Sequence, residues 1–198
     1  MSEFGHRKSY QTLMAASKTL FWKYGMRKVS VEEICKEAGI SKMTFYRMFK
    51  NKNELIYELL SAIYTKGFED YKNLMAEEIS FPEKVKKILL LKHEGTQDVS
   101  REFITEVYKS DDASLQKLLA DYQEKTTKEL RKDFIEAQKQ GWIHKDLKMD
   151  SIFYLLNLIQ EKLFDPVYIA LHSNIQEAIM EMTNFFFYGI MSPENQKK

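Results

Sequence analysis

Apolar residues recur along this chain at intervals of three and four, the spacing of one buried stripe on an α-helix. Tyr10, Leu13, Met14, Ser17, Leu20, Phe21 and Tyr24 share one such stripe and predict a helix from about Ser9 to Tyr24, stopped by Gly25. Met1 to His6 shows no periodicity and reads as an arm outside that pattern. Ser30-Val31-Glu32-Glu33 opens a second, short helix through a capping box and ends at Ala38-Gly39. Ser41 starts a third helix, running through about Phe49. Asn51 caps a long fourth with Glu54 at its third position, and Ile56, Leu59, Leu60, Ile63, Gly67, Tyr71, Leu74 and Met75 form its stripe.

The rest continues in the same style. Pro82 suits the first turn of a helix through about Leu91. Further helices are predicted over 97–109 and over 114–140, the latter ended by Gly141, then over 149–171 with an interruption near Pro166, and over 174–190. No alternating strand pattern, internal repeat or low-complexity linker is present. The fold class is all-α, with about nine helices: a three-helix head over 1–52 and a larger helical body over 53–198. Seven glycines and three prolines in 198 residues agree with long helices rather than many short strands.

Charge adds a direction to this layout. The net charge is only +1, yet residues 1–52 hold eleven Lys and Arg against four Glu, which leaves an acidic remainder. A basic end on an acidic body is either a solvated charged surface or the way a protein presents one end to a polyanion, and charge alone does not choose between them. Residues 30–49 supply a matching motif. Two short helices flank a glycine turn, Cys35 is small enough for their close crossing, and Ile34, Ile40, Phe45 and Phe49 fall where the pair must be wedged against helix one. The outward face of the second member keeps Lys42, Met43, Thr44, Tyr46, Arg47 and Met48, side chains able to meet base edges and backbone.

In this region the sequence resembles the tetracycline-repressor (TetR-type) family of transcription regulators. The resemblance rests on Ala15-Ala16 through Leu20-Phe21, Gly25, Ser30 to Ile34, Ala38-Gly39-Ile40-Ser41-Lys42, Thr44 to Arg47, Phe49-Lys50 and Lys52 to Leu55. Cys35 stands where alanine is common, and Met43 where glycine or proline is frequent. The resemblance implies that Lys42, Met43, Thr44 and Arg47 face bases, that Tyr46 and Lys52 hold phosphates, that Ser30 caps helix two beside the DNA backbone, and that Ser41 joins this contact set at the head of helix three. Lys52 at a helix start also adds its charge to the positive end of the dipole. Its removal is expected to lower the salt slope of binding by about 1.

The last two helices are apolar on more than one face. One carries Ile152, Phe153, Leu155, Leu156, Leu158, Ile159, Leu163 and Phe164, the other Ile175, Ala178, Ile179, Met182, Phe185, Phe186, Phe187 and Tyr188. Such helices need a partner on the side away from their own core, most simply a second copy in a four-helix bundle. Two heads about 34–36 Å apart then read two half-sites. The family's bodies also hold a small-molecule site. Phe103, Glu106, Tyr108, Tyr122, Tyr154 and Asn157 are the candidate contacts for a largely apolar effector, coupled to the head through helix four.

Taken together, the expected function is a ligand-responsive regulator, a repressor that binds palindromic operator DNA as a homodimer and is released by the effector. The alternative is a DNA-independent helical dimeric adaptor or a lipid or small-molecule carrier. Enzyme chemistry finds no footing, because His6, His93, His144 and His172 are scattered, with no metal-binding cluster, nucleophile triad or phosphate-cradling loop. No cofactor and no metal is expected. A single cysteine, with neither a secretory signal nor a membrane-length apolar run, leads to the expectation of a cytoplasmic protein.

Overall fold

The chain folds into helices α1 (Glu3–Tyr24), α2 (Val31–Ala38), α3 (Lys42–Met48), α4 (Lys52–Met75), α5 (Phe81–Thr96), α6 (Arg101–Tyr108), α7 (Ala113–Lys139), α8 (Met149–Lys162), α9 (Pro166–Ile169) and α10 (Ile175–Ile190). This computed structural model describes residues 3–163 and 165–192, with side chains from residue 7 onward. Among the described residues there is no strand, only an isolated antiparallel bridge between Ile143 and Met191. The all-α expectation is met. The tenth helix arises because Pro166 opens α9 as a separate turn, with the Asp165 carboxylate accepting from the Val167 amide. Phe164, counted above on the apolar stripe, lies outside the described residues.

Local chemistry explains the boundaries. Ser30 and Ser80 both form complete capping boxes, with Glu33 and Glu83 reaching back to the cap amide. Asn51 accepts from the Glu54 amide at 2.9 Å, as the sequence suggests. Three elements differ from expectation. The segment before Ser9 extends α1 rather than standing apart, and α5 continues five residues past Leu91. α6 begins only at Arg101, because Asp98 takes a left-handed φ of 58° and Ser100 supplies the cap.

The chain divides into two compact units, Met1–Lys66 with Asp98–Leu119, and Gly67–Gln97 with Ala120–Lys198. This grouping differs from the division at 52/53, because α6 and the starts of α4 and α7 join the N-terminal helices. The first unit is packed around Leu13, Phe21, Ile34, Phe45 and Leu55, all inaccessible to solvent. Buried Ser17 donates to the Leu13 carbonyl at 2.6 Å, so its hydroxyl is satisfied inside that core.

The second unit is built on Phe134. Phe153, Phe81, Phe186 and Phe187 surround its ring at centroid distances of 5.7, 6.1, 6.2 and 6.2 Å. The Tyr71 hydroxyl donates to Asp133 at 2.6 Å. His144 N–H donates to the Ile190 carbonyl at 3.0 Å and Ser192 N–H to the Trp142 carbonyl at 2.9 Å, tying the end of α10 to the loop after α7.

Candidate nucleic-acid interface

The α2–α3 pair is held by caps at both ends of its turn. Glu33 N–H donates to Ser30 Oγ at 3.2 Å, while Glu33 Oε2 accepts from Ser30 N–H at 2.7 Å and from its hydroxyl at the same distance. Those bonds, the backbone one foremost, hold the Glu33 carboxyl below its ordinary pKa. Gly39 closes α2 at φ 66°, ψ 32°, its N–H reaching the Lys36 carbonyl. Two residues later Ser41 Oγ accepts from the Thr44 amide at 3.1 Å and starts α3. Three residues separate the helices, which leaves them little freedom to change their crossing.

The inner faces meet a prepared surface. Ile34, Cys35, Phe45 and Phe49 are buried. Burial raises the Cys35 thiol pKa, which keeps it protonated and marks it as a small packing residue. Phe45 meets Phe49 at 5.9 Å, and Phe49 stacks on Tyr10 of α1 at 6.1 Å. The Tyr10 hydroxyl donates to Glu58 of α4 at 2.9 Å; burial first, and that bond second, push its pKa to about 12. Tyr10 thereby joins α1, the end of α3 and α4.

The outward face of α3 is left open. Lys42, Met43, Tyr46 and Arg47 are exposed, Met43 at 68% and Tyr46 at 57%, and their spacing puts them on adjoining turns of one side. Thr44 and Met48 are half-buried. Arg47 Nη2 donates to Met43 Sδ at 3.5 Å, so the thioether backs the guanidinium. Lys42 pairs with Glu32 at 2.8 Å, and the bond raises the ammonium pKa and lowers that of the carboxylate. Both partners face water, where such a pair contributes little and exchanges readily for a phosphate.

A short basic-faced helix, rigidly capped and wedged with its side chains open, is the reading head of a helix-turn-helix. Residues 13–59 match the family model of bacterial regulatory proteins, tetR family. The chain carries a TetR-type DNA-binding segment. Over 195 residues, covering 94% of this chain and 95% of the other, it is 25% identical to the uncharacterized HTH-type transcriptional regulator YdgC of Bacillus subtilis. Two solved structures share the fold. A putative transcriptional regulator from Saccharomonospora viridis in complex with choline superposes with a TM-score of 0.72 at 15% identity, covering 96% of this chain and all of the other. The transcriptional regulator FadR from Bacillus subtilis in complex with stearoyl-CoA does so with a TM-score of 0.65 at 16% identity, covering 91% and 99%.

Two of the candidate site residues, Lys52 and Glu106, have partners in the turn after α1. Lys52 Nζ donates to the carbonyls of Met26, Val29 and Arg27 at 2.9, 3.0 and 3.4 Å. Three acceptors thus surround the ammonium group, which faces the turn after α1. Glu106, expected at the effector, instead accepts from the Met26 amide and, at 2.9 Å, from the Arg27 amide. Phe103, expected beside it, is buried against Trp22 with ring centroids 4.4 Å apart.

The other effector candidates are dispersed. Tyr108 belongs to the first unit and is exposed, whereas Tyr122, Tyr154 and Asn157 belong to the second. Tyr154 is 66% exposed. Asn157 lines an open groove of about 540 Å³ with Ala120, Gln123, Glu124, Lys128 and Arg131. Among the described residues no group of His, Cys, Asp and Glu is placed to hold a metal ion, and no helix is long and apolar enough to cross a membrane.

Proposed function

We propose that this chain is a ligand-responsive repressor that binds a palindromic operator as a homodimer and is released by a small, largely apolar effector. The open face of α3 carries this reading. Arg47 and Lys42 supply donors for guanine edges or phosphates, Met43 offers an apolar contact to a thymine methyl, and Thr44 lies beside them on the first turn. Tyr46 reaches a phosphate oxygen, and Ser30 and Ser41 sit at the helix starts that face the DNA backbone.

The dimer is proposed through α8 and α10. Within one copy Ile152, Phe153, Ile175, Ala178, Phe186 and Phe187 are buried, whereas Leu155, Leu158, Phe185 and Tyr188 on the same two helices are exposed. An apolar face left uncovered on two neighbouring helices is the surface a second copy covers in a four-helix bundle. Two-fold symmetry then sets the palindromic form of the operator.

Support for an effector comes from the fold, since proteins sharing it are solved with choline and with stearoyl-CoA. The effector's candidate contacts in the second unit are Tyr122, Tyr154 and Asn157. The test is selection of the preferred duplex from random DNA, followed by affinity at two salt concentrations. A steep salt dependence with a clear preference for one inverted repeat is expected. Compounds are then screened for release of that duplex. Affinity indifferent to sequence, or no binding in dilute buffer, refutes the proposal.

A further inference from the structure

Residues 25–29 form the turn between α1 and the helix-turn-helix, and their backbone groups fall outside both helices. Peptide groups in such a place need partners. Here they come from two charged side chains distant in sequence. Glu106 of α6 accepts the N–H groups of Met26 and Arg27 with a single oxygen, Oε2. Lys52, at the first position of α4, donates to the carbonyls of Met26, Arg27 and Val29. Carboxylate meets donors and ammonium meets acceptors, so each charge is matched to the polar groups it touches.

The fit is close. Gly25 has φ 82°, and a Cβ there would come within 3.0 Å of Glu106 Oε2 and 3.1 Å of Glu102 Cβ. The end of α1 is docked on the same helix, with Ser100 N–H donating to the Trp22 carbonyl at 2.7 Å and Trp22 packed on Phe103. The side chains of Met26 and Val29 are buried as well. The turn is thus fixed by its backbone donors, by its backbone acceptors and by its side chains.

We infer that Glu106 and Lys52 are positioning residues for DNA recognition, a two-sided grip on the 25–29 turn that sets where α2 begins and so how α3 is presented. Neither side chain touches DNA in this role. The inference rests on the proposed DNA reading of α3, and it replaces a phosphate contact for Lys52 and an effector contact for Glu106. Removing either group frees turn amides or carbonyls and widens the range of α3 orientations without removing a phosphate contact.

The test combines amide hydrogen exchange with salt-dependent affinity for the selected duplex, on the full chain. Glu106→Ala should bind at least tenfold more weakly at an unchanged salt slope, with faster exchange at Met26 and Arg27. Glu106→Gln keeps an acceptor oxygen and should recover most of both. Lys52→Ala should also weaken binding at an unchanged slope, where loss of a phosphate contact would reduce the slope by about 0.9. Glu106→Ala binding within twofold of the parent overturns the grip, and a slope falling by about 1 in Lys52→Ala returns that lysine to the phosphate. Those outcomes leave the function intact. A parent chain that selects no duplex overturns the function and this role together, even where exchange at Met26 and Arg27 responds to Glu106→Ala.

Discussion

Phe185 is 77% exposed on a helix whose opposite face is buried, and this makes Phe185→Ser a sharp test of the dimer. A phenylalanine carries about 200 Å² of surface, so roughly 150 Å² of this one awaits a partner. At about 25 cal/mol per Å², full covering contributes about 3–4 kcal/mol per copy. Symmetry removes two such side chains at once. Even half coverage therefore costs the dimer about 3–4 kcal/mol, a rise in dissociation constant of a few hundredfold. Sedimentation equilibrium over a range of concentrations measures this directly. Tyr46→Ser is the control, since it removes a comparably exposed aromatic from α3 and should leave self-association unchanged. A Phe185→Ser dissociation constant within threefold of the parent would refute the assignment of α8 and α10 as the dimer face.

Other expectations bear on single residues. Arg47→Ala should relax the preference at one base pair by about 1–3 kcal/mol, measured as the affinity ratio between the selected duplex and its single-position variants; equal losses on random DNA would contradict a base contact. Gly39→Ala meets no atom within 4 Å, so its effect is the left-handed backbone alone, about 1–2 kcal/mol of stability in a denaturant titration. An unchanged midpoint would show that the turn does not hold φ 66°. His172 is packed on Tyr168, with ring nitrogens 3.0 Å from the Tyr168 carbonyl and 3.1 Å from Glu181. Burial lowers its pKa, but the bond to Glu181, then the carbonyl and the charges of Glu181 and Glu177, outweigh that and raise it above 6.5. A raised folded pKa stabilises the fold fully below the unfolded value, and that contribution fades as pH climbs through the folded value. The parent should therefore lose stability relative to His172→Gln on going from pH 6 to pH 8, as followed by thermal melting; parallel profiles would exclude the imidazolium.

Much of the head was legible because its signals are local. The Ser30–Glu33 box and the Asn51–Glu54 cap each lie within three residues, and Gly39 announces its own backbone. The wedge of Ile34, Phe45 and Phe49 follows from helical spacing. Residues 3–8 were not legible as helix because they carry no apolar stripe. The start of α6 was hidden for another reason: Asp98 adopts a conformation that its residue type does not demand. The roles of Glu106 and Lys52 lay beyond any spacing argument, since their partners are about 80 and 25 positions away. A charged residue on a helix carries no mark of which distant backbone it will meet. Tyr24 shows the converse limit, since it continues the α1 stripe by spacing yet is exposed, because α1 ends there.

Cys35 gives the head a chemical clock. It is the only cysteine in the chain, it lies 4% exposed beneath the α2–α3 crossing, and its thiol is held protonated. A thiol reagent therefore reaches it only when that crossing opens. The rate of labelling reports how readily the reading head comes apart, and a bound duplex would slow that rate with no probe introduced into the protein.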